Sequence, residues 1–296
     1  MRSLTIKSDI SLKNIAVATD FSPASELALD HAIGIARHYG SKILLVHAME
    51  ARPHSHARQE GESRETPGSL GDAEQMLLVE ARKSSDVECE CRLLTGTLLE
   101  VVEQILALDQ IDLIVVGTHG AKGVRKLLAG SAAERIFHHV RCPVLVIGPS
   151  VRKGSAIWRP QRILLATDLQ SDESRAVEYA IMLAAEHGAR LALLHVTPPA
   201  EPPYPQDSEL MIAPYFQSRL RELVSYRPRG DYPAEAWVEF HDDPVAGIIQ
   251  VANRQAIDLL ILSVHPREPW TSHFVHNAHR IVGETPCPAL IVQREL

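Results

Sequence analysis

Three glycines and a serine in this 296-residue chain lie between a predicted strand and a predicted helix, at a junction of the kind that can bind phosphate. Gly117 and Gly120 follow a short apolar, β-branched run, and Gly130 and Ser131 come after nine further residues, before a segment with helical apolar spacing. Such a strand–loop–helix junction leaves backbone N–H groups that can hold a phosphate, and the helix dipole adds partial positive charge there. Ser131 can cap the helix or donate its hydroxyl to a phosphate oxygen.

Two glycines three residues apart also occur after buried strands for steric reasons alone, so the shorter part of the motif has an ordinary structural explanation. Lys122, Arg125 and Lys126 lie between the glycines, where they could neutralise phosphate charge or form a solvated basic loop. His119 could touch a phosphate as well. These alternatives stay open at the level of sequence.

The segments that must position this loop occur twice in the chain. Residues 14–20, NIAVATD, return as residues 162–168, RILLATD, at an offset of 148, and later matches fall at offsets of 146 and 145. A period this long indicates a tandem duplication of a complete domain. We expect one domain over 1–150 and a second over 158–296, joined by a polar linker near 149–155.

Each copy alternates strands with helices, which predicts α/β domains with parallel sheets. The fold class expected is two tandem Rossmann-like domains, each an open five-stranded parallel sheet with helices on both faces. Residues 51–71 and 197–206 are rich in polar residues, proline or glycine, and they indicate loops. The predicted elements of the first copy are strands near 13–19, 42–48, 87–93, 111–116 and 143–148, and helices near 23–39, 72–84, 97–109 and 130–139.

Asp20 follows the first strand, at the carboxyl edge of the sheet where open α/β folds bind ligands. It could lie against a ligand, or it could cap the first helix or the turn at Ser22 and Pro23. The sequence leaves both interpretations open.

The full G-x2-G-x9-G-S string resembles the ATP-binding motif of the universal stress protein family, and CPVLVI at 142–147 resembles that family's closing strand. The resemblance implies ATP as ligand, with or without Mg²⁺, and a fold of the adenine-nucleotide α-hydrolase group. It implies that Asp20 faces the nucleoside, with no catalytic residue and no metal ligand assigned. The nucleotide-binding positions implied are Ala18, Thr19 and Ala48 near the base, Val116 and Gly117 near the ribose and phosphates, and Gly120, Gly130, Ser131 and Ala132 in the loop.

The second copy departs from the motif. Ser263 and Pro266 replace the first two glycines, and Val275 and His276 replace Gly130 and Ser131, although Asp168 is retained. Proline removes an N–H donor and valine blocks close approach to the backbone. We interpret the second domain as a degenerate copy retained for structure, pairing or regulation.

Three histidines of the second copy, His273, His276 and His279, recur at a spacing of three residues on one predicted helix. Imidazoles at this spacing could ligate a transition metal. Partly exposed helix histidines at a lost phosphate site are the interpretation that we favour, because no cysteine or carboxylate sits at a supporting spacing.

Composition limits the range of partners. Apolar residues make up 45% of the chain, charged residues 23%, and the net charge is -7, which argues against a general polyanion binder such as a nucleic-acid protein. No segment reads as a leader or a membrane span, so a cytoplasmic protein is expected. Cys89 and Cys91 are expected on one side of a strand as small buried side chains, and Cys142 and Cys287 at packing positions.

These observations predict a nucleotide-dependent stress-response or regulatory module rather than a dedicated catalyst. A slow ATPase, another ATP-using enzyme of the fold group and a ligand-free scaffold are the alternatives. The first loop, at 19–25, carries neither a glycine-serine loop nor a His-x-Gly-His signature of such enzymes. Family resemblance also implies an intramolecular pseudo-dimer through 145–147 and 290–292, or a homodimer.

Overall fold

The computed structural model describes residues 12–49, 70–118, 136, 140–151, 158–169, 174–199, 205–225, 232–264 and 273–293. Within this part of the chain, contacts separate two compact units, the first spanning Leu12–Pro149 and the second beginning at Arg159. Each unit has the α/β fold that the repeat predicts.

The first unit contains a parallel sheet of five strands in the order β3-β2-β1-β4-β5. Its strands are β1 (Asn14–Ala18), β2 (Lys42–Met49), β3 (Cys89–Thr95), β4 (Leu113–Gly117) and β5 (Val144–Ile147). Its helices are α1 (Pro23–Tyr39), α2 (Leu70–Ala81), which a short 3-10 turn (Arg82–Ser84) follows, and α3 (Leu98–Leu108).

The second unit repeats this arrangement, with a parallel sheet in the order β8-β7-β6-β9-β10. Its strands are β6 (Arg162–Ala166), β7 (Arg190–Thr197), β8 (Ala234–Phe240), β9 (Leu259–Val264) and β10 (Ala289–Gln293). Its helices are α4 (Ser174–His187), α5 (Pro205–Ser225), α6 (Pro244–Arg254) and α7 (His273–Glu284). Helix α4 packs against α5, and α6 packs against α7.

Sequence explains the strongest elements directly. Strand β1 has three consecutive apolar residues, Ile15, Ala16 and Val17, each at most 1% exposed, as expected for a strand covered on both faces. Helix α1 begins after Ser22, whose side chain accepts a hydrogen bond from the Ser25 N–H. It ends at Gly40, whose φ of 65° is the left-handed conformation typical of a glycine C-cap.

An aspartate fixes the start of the first strand in each unit. The Asp112 carboxylate accepts hydrogen bonds from the backbone N–H groups of Lys13 and Asn14, at 2.8 and 2.9 Å. Asp258 does the same for Gln161 and Arg162, both at 2.9 Å. These charge-assisted bonds lie at the amino ends of the strands, so this repeated aspartate is structural.

At one contact between a strand and a helix, the two units carry the larger side chain on opposite partners. In the second unit, a Cβ added to Gly247 of α6 would lie 2.8 Å from Val196 Cγ1 and 3.1 Å from His241 Cβ, so valine on β7 favours glycine on the helix. The offset of 146 between α3 and α6 places buried Val101 at the position of Gly247. Ala48 stands where the second unit has Val196, so the larger residue has changed sides.

Two loop predictions are wrong at their edges. Strand β7 includes Thr197 and helix α5 already begins at Pro205, so 197–206 is not one unstructured stretch, although 200–204 lies outside the described residues. Proline is tolerated in the first helical turn, which is why the proline-rich sequence concealed the helix start. Most of 51–71 also lies outside the described residues, but Leu70 and Gly71 are helical.

Smaller boundary shifts have local causes. Strand β3 runs over Cys89–Thr95 rather than 87–93, because the Val87 N–H donates to the Ser84 carbonyl in the preceding turn. The predicted helix at 130–139 lies outside the described residues except for Ile136, which is helical and buried.

The cysteines only partly match their predicted environment. All four are free; Cys287 is buried, whereas Cys142, Cys89 and Cys91 are only half-buried, so full burial of the β3 pair was a wrong expectation. Burial nevertheless raises the pKa of the Cys91 thiol to about 11, with neighbouring Cys89 adding to the shift. A thiol with this pKa is a weak nucleophile at neutral pH.

None of the helices in the described ranges combines the length and apolar character that a membrane span needs.

Candidate functional site

The order of the strands creates a crevice in the first unit between β1 and β4. The chain moves outward from β1 through β2 to β3, and then returns to the other side of β1 as β4. Ala18 pairs with Val116 at the carboxyl ends of these strands, so Asp20 and Gly117 follow at the same edge. Open α/β sheets bind ligands at this switch point.

Thr19 organises the turn after β1. Its N–H donates to the Val46 carbonyl at 2.9 Å, its carbonyl lies 2.8 Å from His47 Nδ1, and its hydroxyl accepts from the Phe21 N–H at 3.0 Å. Thr19 is only 5% exposed. Because the protein already uses its backbone N–H, Thr19 positions its neighbours rather than offering that donor to a ligand.

Asp20 takes part in the same turn. Its Oδ1 accepts a hydrogen bond from the Ser22 N–H at 3.1 Å, which confirms the turn interpretation, while the helix cap itself is Ser22. The residue is exposed at the carboxyl edge of the sheet. The bond orders the carboxylate in a place where a ligand hydroxyl could also reach it.

Phe21 has an unusual backbone conformation. Its φ is 64°, in the left-handed region that bulky residues avoid, and its ring lies 4.5 Å from the ring of His47. The side chain is 6% exposed, so burial offsets the backbone strain. This turn directs an aromatic ring inward over the end of β2.

Gly117 is required by the packing of the protein itself. A Cβ at this position would lie 2.3 Å from the Ala24 carbonyl oxygen and 2.7 Å from the Ser25 N–H nitrogen, in the first turn of α1. Its φ is not among the positive values found in the described residues. Close contact with α1, and not a left-handed backbone, therefore explains a glycine at this position.

Of the predicted nucleotide-binding residues, the structure brings six to one edge of the first sheet. Val116 is buried, whereas Ala18 and Ala48 are half-buried and small. The remaining predicted positions lie outside the described residues: Gly120, Gly130, Ser131 and Ala132, with the neighbouring His119, Lys122, Arg125 and Lys126.

Glu80 is a residue at this edge that the sequence analysis did not select. It is 5% exposed on α2, and within the described part of the chain its Oε2 has no hydrogen-bond partner. Burial raises the pKa of its carboxyl, while the Thr19 hydroxyl and the Lys83 ammonium act in the opposite direction. Glu80 could have been identified from the sequence, because its spacing places it on the same helix face as Ala73 and Leu77, the buried apolar residues of α2.

The second unit builds the same turn from different side chains. Leu169, with φ of 59°, donates its N–H to the Thr167 hydroxyl at 3.0 Å, and the Thr167 carbonyl lies 3.0 Å from His195 Nδ1. The aromatic ring against His195, at 4.4 Å, is that of Phe216 on α5. Burial lowers the pKa of His195, although its bond to Thr167 acts in the opposite direction.

A cavity of about 520 Å³ lies beside this turn, at the carboxyl ends of β6, β7 and β9. Helices α5, α6 and α7 supply the rest of its wall. An ion pair between Asp243 and Arg280, at 2.7 Å, links the start of α6 to the second half of α7. The cavity occupies the place in the second unit that the nucleotide crevice is predicted to occupy in the first.

The positions of the missing motif can be followed in part. Ser263, where the first unit has Gly117, is 1% exposed, while Pro266 lies outside the described residues. Val275 lies in the first turn of α7, and His273, His276 and His279 share that helix as predicted. Among the residues that the structure describes, no group of histidine, cysteine or carboxylate side chains could hold a metal ion.

Comparison with known proteins agrees with this architecture. The profile of the "Universal stress protein family" matches residues 11–148 and again 160–293. A universal stress protein of Methanocaldococcus jannaschii is 30% identical over 138 residues, which is 46% of this chain and 81% of that protein. The crystal structure of a universal stress protein from Archaeoglobus fulgidus superimposes on 95% of this chain and 98% of its own, with a TM-score of 0.58 at 16% identity, and so supports the fold. Because the two profile matches cover most of the sequence, the chain belongs to the universal stress protein family and carries two copies of its domain in tandem.

Proposed function

We propose that this protein binds one ATP per chain, in its first unit, and acts as a nucleotide-dependent regulatory module of the stress response rather than as a dedicated catalyst. The observation that supports this proposal most strongly is the crevice between β1 and β4. There an ordered Asp20 and the small residues Ala18 and Ala48 lie at the edge where the G-x2-G-x9-G-S string begins.

The described residues suit the nucleoside end of such a ligand. An adenine ring could lie against the backbone of Ala18 and Ala48, since neither side chain extends far over it. The Asp20 carboxylate can accept a hydrogen bond from a ribose hydroxyl. The phosphates would lie against the N–H groups at Gly130 and Ser131, and the role of Gly117 would be to keep α1 in contact with β4.

The two units differ in what they offer a polyphosphate. The first carries the glycine string and three cations within it, whereas the second has Ser263, Pro266, Val275 and His276 at the corresponding positions. This asymmetry is the reason for proposing a single nucleotide per chain. The proposal further includes pairing of the units through 145–147 and 290–292, and a cytoplasmic location.

The test is calorimetric titration of the full chain with ATP, followed by mass spectrometry of any nucleotide that co-purifies. We expect one site, and we expect Gly130→Val, which introduces the second copy's residue, to abolish it. Losing two or three charge-assisted backbone hydrogen bonds, each about 1.5–3 kcal/mol, should weaken binding by about a hundredfold or more.

Val275→Gly is the matched control, because it makes the reverse exchange at the corresponding position of the second unit. We expect it to leave both stoichiometry and affinity unchanged. Two equivalent sites in the parent protein would contradict the proposal. A folded Gly130→Val protein that still binds ATP within about tenfold of the parent would place the phosphates elsewhere. Steady release of phosphate from bound ATP would favour the slow ATPase instead.

A further inference from the structure

We infer that the second unit is a binding domain for an uncharged, mainly apolar organic molecule, held in the cavity at the carboxyl ends of β6, β7 and β9. This site is separate from the proposed nucleotide site of the first unit and uses none of its residues. The inference rests on the size of the cavity, its walls and the balance of charge around it.

The cavity has the size and the wall of a small-molecule site. Its volume of about 520 Å³ lies within the range of roughly 300–1,000 Å³ that such sites usually have. Leu194 and Leu262 line it from the sheet, and Ile248 and Ile281 line it from α6 and α7, each at most 8% exposed. A ligand in contact with these side chains would remove mainly apolar surface from water.

Aromatic residues of α5 close one side. Phe216 packs against His195, and Tyr215, whose ring lies 5.3 Å from that of Phe216, lines the cavity while remaining 60% exposed. Tyr215 therefore stands where the cavity meets solvent. Met211 and Ile212, one helical turn earlier, are 80% and 38% exposed, so they extend the apolar surface outward from this mouth.

The polar groups of the lining favour a neutral ligand. Asp168 and Arg219 both line the cavity, so its lining carries one formal charge of each sign. Arg219 also lies 3.8 Å from Glu222 on its own helix, which reduces its attraction for an anion further. Asn277 and Asp168 can hydrogen-bond to one or two polar atoms, which would fix the orientation of a ligand without requiring it to carry charge.

A direct test uses N-phenyl-1-naphthylamine, an uncharged apolar dye whose fluorescence rises on leaving water. We expect saturable binding of one dye per full chain, and we expect millimolar ATP to leave this binding unchanged. Ala278→Phe adds a ring to a residue that lines the cavity from α7, and should weaken dye binding by about tenfold or more. Gln250→Phe places the same ring on an exposed position of α6 and should have no effect.

A second pair of variants covers the case in which Ala278→Phe does not fold. Tyr215→Asp puts a charge at the mouth without touching the core, and Leu210→Asp puts the same charge on the same helix at a residue that is 75% exposed and not part of the lining. Weaker dye binding in Tyr215→Asp alone supports the proposal. Absence of saturable binding, equal effects of the two variants, or displacement of the dye by ATP would overturn it.

Discussion

The two units of this protein share one backbone turn and use it differently. The hydroxyls of Thr19 and Thr167 each accept a hydrogen bond from the backbone N–H two residues later in the chain. The carbonyl of each threonine lies against the Nδ1 atom of a buried histidine. In the first unit the ring over that histidine comes from the turn itself, as Phe21, whereas in the second it comes from helix α5, as Phe216. Because the ring of the second unit belongs to α5, this helix forms part of the wall of the cavity.

The comparison shows what a duplicated domain can keep and what it can change. The turn, the left-handed residue and the aspartate at the start of the first strand are common to both units, and all of them serve folding. The glycine string and the wall of the crevice differ, and both lie where a ligand would bind. The units therefore diverge at the carboxyl edge of the sheet, while the amino edge stays the same.

The largest expected effect is a loss of stability that tests whether packing requires a glycine at position 117. Gly117→Ala should destabilise the first unit by about 3 kcal/mol or more, because the added Cβ meets backbone atoms of α1 that cannot move alone. Ser263→Ala, at the corresponding position of the second unit, should cost about 1 kcal/mol, the usual value of one buried hydrogen-bonding group. Chemical denaturation of both variants measures the difference, and equal losses would show that the glycine is not needed for packing.

The next effect tests whether the amino edge is truly equivalent in the two units. Asp112→Ala and Asp258→Ala each remove the acceptor of two backbone N–H groups, and each should cost about 2 kcal/mol of unfolding free energy. Denaturation profiles that distinguish the two units provide the measurement. Asn replacements should recover part of the loss, since the amide oxygen can still accept one bond, and a loss confined to one variant would break the equivalence.

A smaller effect separates the two aspartates of the shared turn. Asp20→Ala should weaken ATP binding by about tenfold, which corresponds to one hydrogen bond to a charged group, and should leave the phosphate contacts in place. Asp168→Ala should leave ATP binding unchanged, because the second unit is not expected to hold the nucleotide. Calorimetry on both variants decides this, and equal weakening by the two would refute the asymmetry.

The smallest effect concerns the buried carboxyl of the first unit. Because burial raises the pKa of Glu80, the folded protein holds this proton more tightly than the unfolded chain, so Glu80 lowers stability as pH rises above the ordinary carboxyl range. Glu80→Gln should therefore raise the melting temperature by a few degrees at pH 8, and the gain should shrink toward pH 4. Glu74→Gln, an exposed change on the same helix, should show no such pH dependence.

Much of the fold could be predicted because its signals are local. The limits of α1 follow from Ser22, Pro23 and Gly40, and the duplicated NIAVATD and RILLATD segments predict the two sheets. Helix α5 was missed at its start, since its first turn carries proline and its apolar residues Leu210 and Met211 face solvent rather than a core. The spacing of apolar residues predicts a helix when those residues share a buried face, and Leu210 and Met211 are exposed.

The site could be predicted less completely, for a different reason. Asp20 and Gly117 were correctly placed at one edge, but the close contact of Gly117 with α1 depends on tertiary packing that a spacing of glycines does not contain. The cavity of the second unit depends on Phe216, which is distant in sequence from the turn that it covers. In the second unit, a search of the sequence for phosphate-binding residues shows only that they are missing. It does not predict the cavity that the structure has at this edge.

The contact between Val196 and Gly247 also constrains the history that the duplicated domains can have followed. A side chain on Gly247 is blocked at 2.8 Å while valine occupies the strand, so a substitution on the helix becomes acceptable only after the strand residue has become smaller. The state with Ala48 and Val101 and the state with Val196 and Gly247 are thus connected by one order of mutation, through an intermediate with two small residues and a loosely packed contact. Moving the strand with Val196 into the first unit without its helix would place valine at the position that faces Val101, whereas the reverse exchange would only loosen the contact.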